Sequence, residues 1–329
     1  MQLAKLLTSV VFISLLLAGS AALFRAPAYA QEFPSRTITI IVPFPPGGPG
    51  DIFGRSIAQR LAAAFGRTVI VDNRPGATGN IGAEVVARAA PDGHTILHTS
   101  AAVALSRALY PKLSVNAERD LAAVSQTVLL PLVLVVHSSL PARNLKELLA
   151  LARANPGALT FGSPGSGALP HLAMELLKLH TKLDIRHIPY KGGGPVQTAL
   201  LTGEVHLAFL GVPVARPHLS SGKIRALGVS ALKRSATLPD VPTLHETGIK
   251  DFEALNWFGF FVPAKTPPAI VMRIHAEVVK ALAAPEMKER LAVEGAEGVG
   301  SMPTDFAAFF RSEFRKWSDV VQRSGTKLE

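Results

Sequence analysis

"VPFPPGGPGDIFGR" (42–55) decides how this chain is read, because it joins a strand to a helix through a segment almost bare of side chains. Upstream, "TITIIVPF" (37–44) is a β-branched apolar run, the pattern of a buried strand. Downstream, "DIFGRSIAQRLAAAF" (51–65) sets Ile52, Ile57, Leu61 and Phe65 near helical spacing, with Asp51 expected as N-cap. Between them, four prolines and three glycines fill residues 43–50. Prolines remove chain freedom before folding, and glycines permit positive φ and close approach to the main chain. Bare N–H groups opening into a helix suit an anion. The segment reads as a rigid backbone cradle for an anionic group.

The same grammar recurs along the chain. Strand "RTVIVDN" (67–73), glycine-rich loop "NRPGATGNIG" (73–82), helix "IGAEVVARAA" (81–90) and strand "HTILHTS" (94–100) complete a βαβαβ unit and predict a parallel sheet. A second unit follows: strand "LLPLVLVVHSS" (129–139), helix 144–157, strand and loop "LTFGSPGSG" (159–167), helix 171–180, and strand and loop "DIRHIPYKGGG" (184–194). Helix 195–205 has proline first, and strands "HLAFLGV" (206–212), "KIRALGVSA" (223–231) and "NWFGFFVPA" (256–264) come after it. "LLPLVLVVHSS" and "KIRALGVSA" are the expected crossings between units, and the C-terminal helices are expected to return to the first. In the last helix, Phe306, Phe309, Phe310, Phe314, Trp317 and Val321 form one apolar stripe, which is core packing. Loops at the carboxyl ends of parallel strands are where open α/β sheets bind ligands, and each unit offers two.

Composition bounds the function. Of 329 residues, 48% are hydrophobic and 18% charged, the profile of a globular chain with ample core. The start resembles an export signal: Lys5, the apolar "LLTSVVFISLLLAG" (6–19) and the small-x-small "AYA" (28–30), with cleavage expected after Ala30. An uncleaved anchor is the alternative; Arg25, Pro27 and the alanines favour cleavage. With no cysteine, a lipid anchor, disulfides and thiolate metal sites are excluded. Removing Lys5 and Arg25 leaves 32 basic against 24 acidic residues, a net charge of +8. The basic residues are scattered and aromatics are 6%, which argues against a nucleic-acid partner. The charge serves solubility or weakly steers an anionic small molecule.

Enzyme motifs fit poorly. "GPGDIFG" (48–54) is one residue off the dinucleotide pattern, with Asp72 about twenty residues on. No phosphate-binding G-x-x-x-x-G-K-[ST] occurs, and "GSPGSG" is no nucleophile elbow. His171, His180 and His187 are wrongly spaced for a helical metal pair. No catalytic residue, cofactor or metal is expected.

The stretches 33–55, 71–97, "GSPGSGALPHLAMELL" (162–177), "IPYKGGGPVQTALLTGEVHLAF" (188–209) and 222–248 closely resemble the tripartite tricarboxylate transporter solute receptors, the Bug-type periplasmic binding proteins. The resemblance spans nearly the whole chain beyond the signal. It implies an α/β fold of the type 2 periplasmic-binding-protein class, with two lobes, two crossovers and a ligand cleft. Lobe 1 would be 31–131 and 233–329, and lobe 2 would be 132–232. It implies a monomer that holds a small organic carboxylate and delivers it to inner-membrane permease components. In this sequence the first-lobe loops would present Phe44, Pro46, Gly47, Gly48, Gly50, Gly76, Ala77, Gly79 and Asn80. Thr99 and Ser100 would add hydroxyls. The second lobe would present Ser163, Ser166, His171, Tyr190 and Gly192, whose other role is bracing their own loops. Leu210 stands where relatives often carry an aspartate able to pair with a ligand amine, which predicts a ligand without an amino group. Two other functions remain open on the sequence: an exported oxidoreductase using the Rossmann-like first unit, and a ligand sensor for a signalling partner.

Overall fold

Ile38–Val42 (β1), Val69–Asn73 (β2) and Thr95–Ser100 (β3) run parallel with β1 in the middle. Their apolar side chains are buried on both faces, Ile38, Ile40, Val42 and Ile96 on one and Ile41 and Leu97 on the other. The computed structural model describes residues 33–110 and 115–326, so the expected signal and Ala30 lie outside the described residues. The chain from Arg36 onward is one compact unit, within which two sheets are distinguished.

The first sheet continues from β3 through antiparallel Leu255–Pro263 (β9) to Leu121–Pro131, the first part of a strand that extends over Leu121–His137 (β4). The second sheet takes over at Leu132, where β4 pairs antiparallel with Leu207–Gly211 (β7) and with Ile224–Val229 (β8). Beyond β7 come Thr160–Ser163 (β5) and Arg186–Pro189 (β6), both parallel to β7's direction. At 17 residues, about 56 Å when extended, β4 is long enough to serve both sheets. The expected strand over 129–139 is therefore only its second half. β8 belongs wholly to the second sheet, and the return crossing is the segment between β8 and β9.

Register locates where the strand ends meet. Ser100, the last residue of β3, pairs with Phe258, which pairs with Val128 of β4. Gly211, the last residue of β7, pairs with Leu132. The carboxyl ends of the parallel strands in both sheets thus point toward the same few residues of β4, where it changes sheets.

Helices Pro49–Phe65 (α1), Asn80–Ala87 (α2) and Ala102–Leu109 (α3) cover the first sheet, and the short Ala117–Asp120 (α4) leads into β4. Leu145–Ala154 (α5), Leu169–Thr181 (α6), Gly193–Thr202 (α7) and Val212–Ser220 (α8) belong to the second sheet. Pro268–Ala283 (α9) and Pro285–Val293 (α10) precede a two-residue strand, Glu297–Gly298 (β10), that pairs with β4. The final helix, Pro303–Ser324 (α11), carries the expected stripe, with Phe306, Phe310, Trp317 and Val320 buried. Phe306 and Phe310 pack with Trp257 and Phe261 in the first sheet's core. Trp317 and Val320, with Leu244, Phe252 and Ala254, instead join Phe161, Leu172, Leu207 and Phe209 of the second. At 22 residues, about 33 Å, this helix is long enough to reach both clusters. Between the two halves, Glu313 is buried and accepts hydrogen bonds from Trp257 Nε1 (3.1 Å) and Trp317 Nε1 (3.0 Å), with Lys316 as its ion partner.

Candidate functional site

The opening loop is built on Asp51. Gly48, not Asp51, is the N-cap, and α1 begins at Pro49. The Asp51 carboxylate, 4% exposed, accepts from the Gly47 amide (3.0 Å), from Arg55 Nε (3.0 Å) and from Asn73 Nδ2 (3.0 Å). Burial pushes its carboxyl up, but hydrogen bonds from Arg55, Gly47 and Asn73 outweigh that and hold it below the usual carboxylate range. Through the Gly47 amide the buried charge fixes the loop. Asn73 also donates to the Phe44 carbonyl (3.0 Å), and the Arg74 amide donates to the Val42 carbonyl (2.9 Å), so the second loop is fastened to the first.

His98 holds the same loop from the sheet. Fully buried, it places Nδ1 3.1 Å from the Gly50 carbonyl, which can only accept, so the proton sits on Nδ1. Burial pushes this imidazole down to about 4. It stacks on Phe258, 5.6 Å between centroids, and Phe258 meets Phe44 edge-on at 6.5 Å. A β-carbon at Gly50 would lie 3.0 Å from Phe258 and 3.1 Å from Phe44, which explains the glycine there.

In the second loop Gly76, Ala77, Thr78 and Gly79 have φ of 130°, 47°, 54° and 90°. Four successive left-handed residues, two of them not glycine, form a strained turn of the kind that gathers at ligand sites. No acceptor among the described residues faces the amides of Ala77 and Thr78, nor those of Gly48 and Gly50. Asn80 turns back to its own loop, donating from Nδ2 to the Ala77 carbonyl at 2.5 Å. Pro46 is exposed at the tip of the first loop. At the end of β3, Ser100 Oγ accepts from the Ala102 amide (3.2 Å), whereas Thr99 Oγ1 is buried with no partner among the described residues.

The second sheet repeats the design with different groups. The Tyr190 amide donates to the Ser163 carbonyl (2.9 Å) and the Gly192 amide to the Pro164 carbonyl (3.2 Å), joining its two loops. Ser163 is buried, 2.6 Å from His187 Nε2, with the Gly165 amide donating to its Oγ at 3.3 Å. His171, 6% exposed, accepts the Gly167 amide at Nδ1 (3.0 Å). Tyr190 donates its hydroxyl to Glu204 (2.7 Å), and burial together with that carboxylate raises the phenol to about 12. Ser163, His171 and Tyr190 are thus committed to the protein, the bracing role. Ser166 Oγ, half-buried, has no partner among the described residues, and Gly192, Gly193 and Gly194 would carry a β-carbon into open space.

Leu210, where the resemblance places an aspartate in relatives, is a strand residue here. It is 6% exposed in a cluster with Val133, Val196, Ala199 and Ala215, on the face of β7 opposite Leu207 and Phe209. Strand alternation, not ligand contact, explains the residue, so it cannot decide between ligands with and without an amine. Asp72, the acid of the dinucleotide pattern, pairs with Arg74 on the surface (2.9 Å). The support that Asn73, His98 and His187 give these loops was not expected from the sequence. Polar residues within apolar strand runs were the available signal. A groove of about 380 Å³ lined by Ser56, Arg60, Glu286 and Arg290 contains none of the expected site residues.

Each sheet thus carries a pair of loops fastened to each other by main-chain hydrogen bonds. Residues 53–326 match the family model described as "Tripartite tricarboxylate transporter family receptor". The chain belongs to this receptor family. Among curated relatives, a protein of the tcbD-tcbE intergenic region of Pseudomonas sp. (strain P51) is 40% identical over 292 residues, covering 88% of this chain and 87% of the relative. Protein BugT of Bordetella pertussis is 37% identical over 306 residues, covering 92% and 94%. Among solved structures, Rpa4515 of R. palustris with adipate superposes with a TM-score of 0.77 at 33% identity, covering 91% of this chain and 100% of that one. MatC from Rhodopseudomonas palustris with bound malate gives 0.73 at 33%, covering 88% and 100%. The Bug-type resemblance and the type 2 periplasmic-binding-protein fold are borne out. The receptor family and its solved members are solute-binding proteins rather than enzymes.

Proposed function

We propose that this chain is a periplasmic receptor that captures a small organic carboxylate, a di- or tricarboxylate or an aromatic acid, and delivers it to inner-membrane permease components of the tripartite tricarboxylate type. The single observation that carries the reading is the set of loops around β4: the free amides of Gly48, Gly50, Ala77 and Thr78 lie in loops held from behind by Asp51 and His98. Preorganised N–H donors suit a carboxylate, and two structural neighbours are described with adipate and malate. The buried carboxylates next to these loops, Asp51 and Glu175, are committed to Arg55 and Lys178. A ligand ammonium would lack a partner there, which favours acids without an amino group. Ser166 is the half-buried hydroxyl offered to a ligand. Export with cleavage after Ala30 and a monomeric state belong to the same proposal. So do lobes divided between Pro131 and Leu132, with Trp317 and its neighbours assigned to the second. A thermal-shift screen of the exported protein against small organic acids tests it: stabilisation by di- or tricarboxylates or aromatic acids is expected, and a uniformly flat screen contradicts it.

A further inference from the structure

β4 changes sheets opposite a break in its neighbours. It pairs with β9 as far as Pro131, opposite Leu255, and with β8 from Val133, opposite Val229. Pro131 has no N–H to give, and Leu132 falls at the break itself. Both main-chain groups of Leu132 go to one residue: its carbonyl accepts from the Ser230 N–H (2.8 Å), and its N–H donates to Ser230 Oγ (2.9 Å). The same hydroxyl donates onward to the Ala254 carbonyl (2.6 Å), and the Ala254 N–H donates to the Ser230 carbonyl (2.9 Å). One serine thus closes the gap between the end of β8 in the second sheet and the start of β9 in the first. Ser230 is fully buried, so removing its hydroxyl strands a donor and an acceptor away from water. Leu132 also pairs with Gly211, the last residue of β7, which puts the bridge where the loops of the two sheets converge.

We infer that Ser230 is a positioning residue for ligand capture: its hydroxyl bridges the break between β8 and β9 and so sets the angle at which the loop pair of one sheet stands to that of the other. Each sheet is rigid beyond the break, and residues at the ends of elements are where such bodies turn against each other. The link to capture rests on the carboxylate-receptor reading; the bridge between the sheets does not.

The chain has no cysteine, so a single introduced pair carries spin labels without competition. Ala64→Cys on α1 and Arg153→Cys on α5 place one exposed label on each sheet's helices. In the ligand-free protein, Ser230→Ala is expected to widen the distribution of label distances, and Ser230→Thr, which keeps the hydroxyl, to return it toward wild type. Hydrogen exchange separates this from general weakening: the Leu132 amide should lose about ten-fold in protection in Ser230→Ala, while Ile40 and Phe161, inside the two sheets, keep theirs. An unchanged distance distribution in Ser230→Ala, or protection falling equally at all three amides, overturns the bridge. If the alanine variant does not fold, exchange of the wild type in urea below its unfolding midpoint decides: Leu132 exchanging before Ile40 and Phe161 supports a separate joint, and all three exchanging in unison refutes it. Calorimetry with adipate and malate reads capture. Weaker binding in Ser230→Ala, restored in Ser230→Thr, supports the link, and equal affinity despite a widened distribution refutes it. If neither acid binds the wild type, the ligand reading fails separately, and the label distances still decide the bridge.

Discussion

Gly48 and Gly79 separate ligand space from backbone strain. Gly48 has φ −80° and ψ 168°, a conformation open to any residue before proline, and an added β-carbon would meet only the Pro45 carbonyl, at 3.8 Å. Gly48→Ala loses a favourable N-cap residue but gains from a stiffer unfolded chain, a net change within about 0.5 kcal/mol of zero. Gly79 has φ 90°, and its β-carbon would find Pro43 at an ordinary 3.5 Å, so Gly79→Ala costs the left-handed penalty, about 1–2 kcal/mol. If carboxylate oxygens sit against the Gly48 and Gly50 amides, the Gly48 methyl group occupies their space, and affinity should fall at least about ten-fold, or 1.4 kcal/mol. Urea unfolding gives the first quantity and calorimetry with the best acid from the screen gives the second. Gly48→Ala that folds and binds like wild type would refute the cradle.

Two further outcomes follow from buried side chains. His98 has a folded value of about 4 against an ordinary 6.5, so the unfolded chain takes up its proton first; stability is full above pH 6.5 and falls as pH drops toward 4, by about 3 kcal/mol at most. Urea midpoints at pH 7.5, 6 and 5 should decline in wild type and decline less in His98→Gln, and parallel slopes would count against the assignment. Leu210→Asp should destabilise by roughly 3 kcal/mol or more through an unpartnered polar group in an apolar cluster; a folded variant of wild-type stability with altered ligand preference would return Leu210 to the site.

The strands were legible because β-branched runs and glycine-rich loops alternate, and period and punctuation suffice for that. The cradle loops were legible for the same reason. Asp51 was visible but misplaced by three residues, because the Pro49 ring starts the helix earlier than the polar residue suggests. The bracing roles of His98, His171 and His187 were not legible: each depends on a partner 4 to 48 residues away, and spacing along one chain does not reveal which strand ends converge. The burial of Leu210 was legible from strand alternation, which sets it opposite Leu207 and Phe209.

The central claim is that this receptor holds a carboxylate and no amine. Calorimetry of the purified protein with succinate against aspartate, and glutarate against glutamate, tests it most directly. Binding of the plain acid with a dissociation constant near micromolar, about −8 kcal/mol, and weaker binding of its amino counterpart is the predicted result. Clearly tighter binding of aspartate or glutamate, or binding of NAD with no response to any acid, would contradict it.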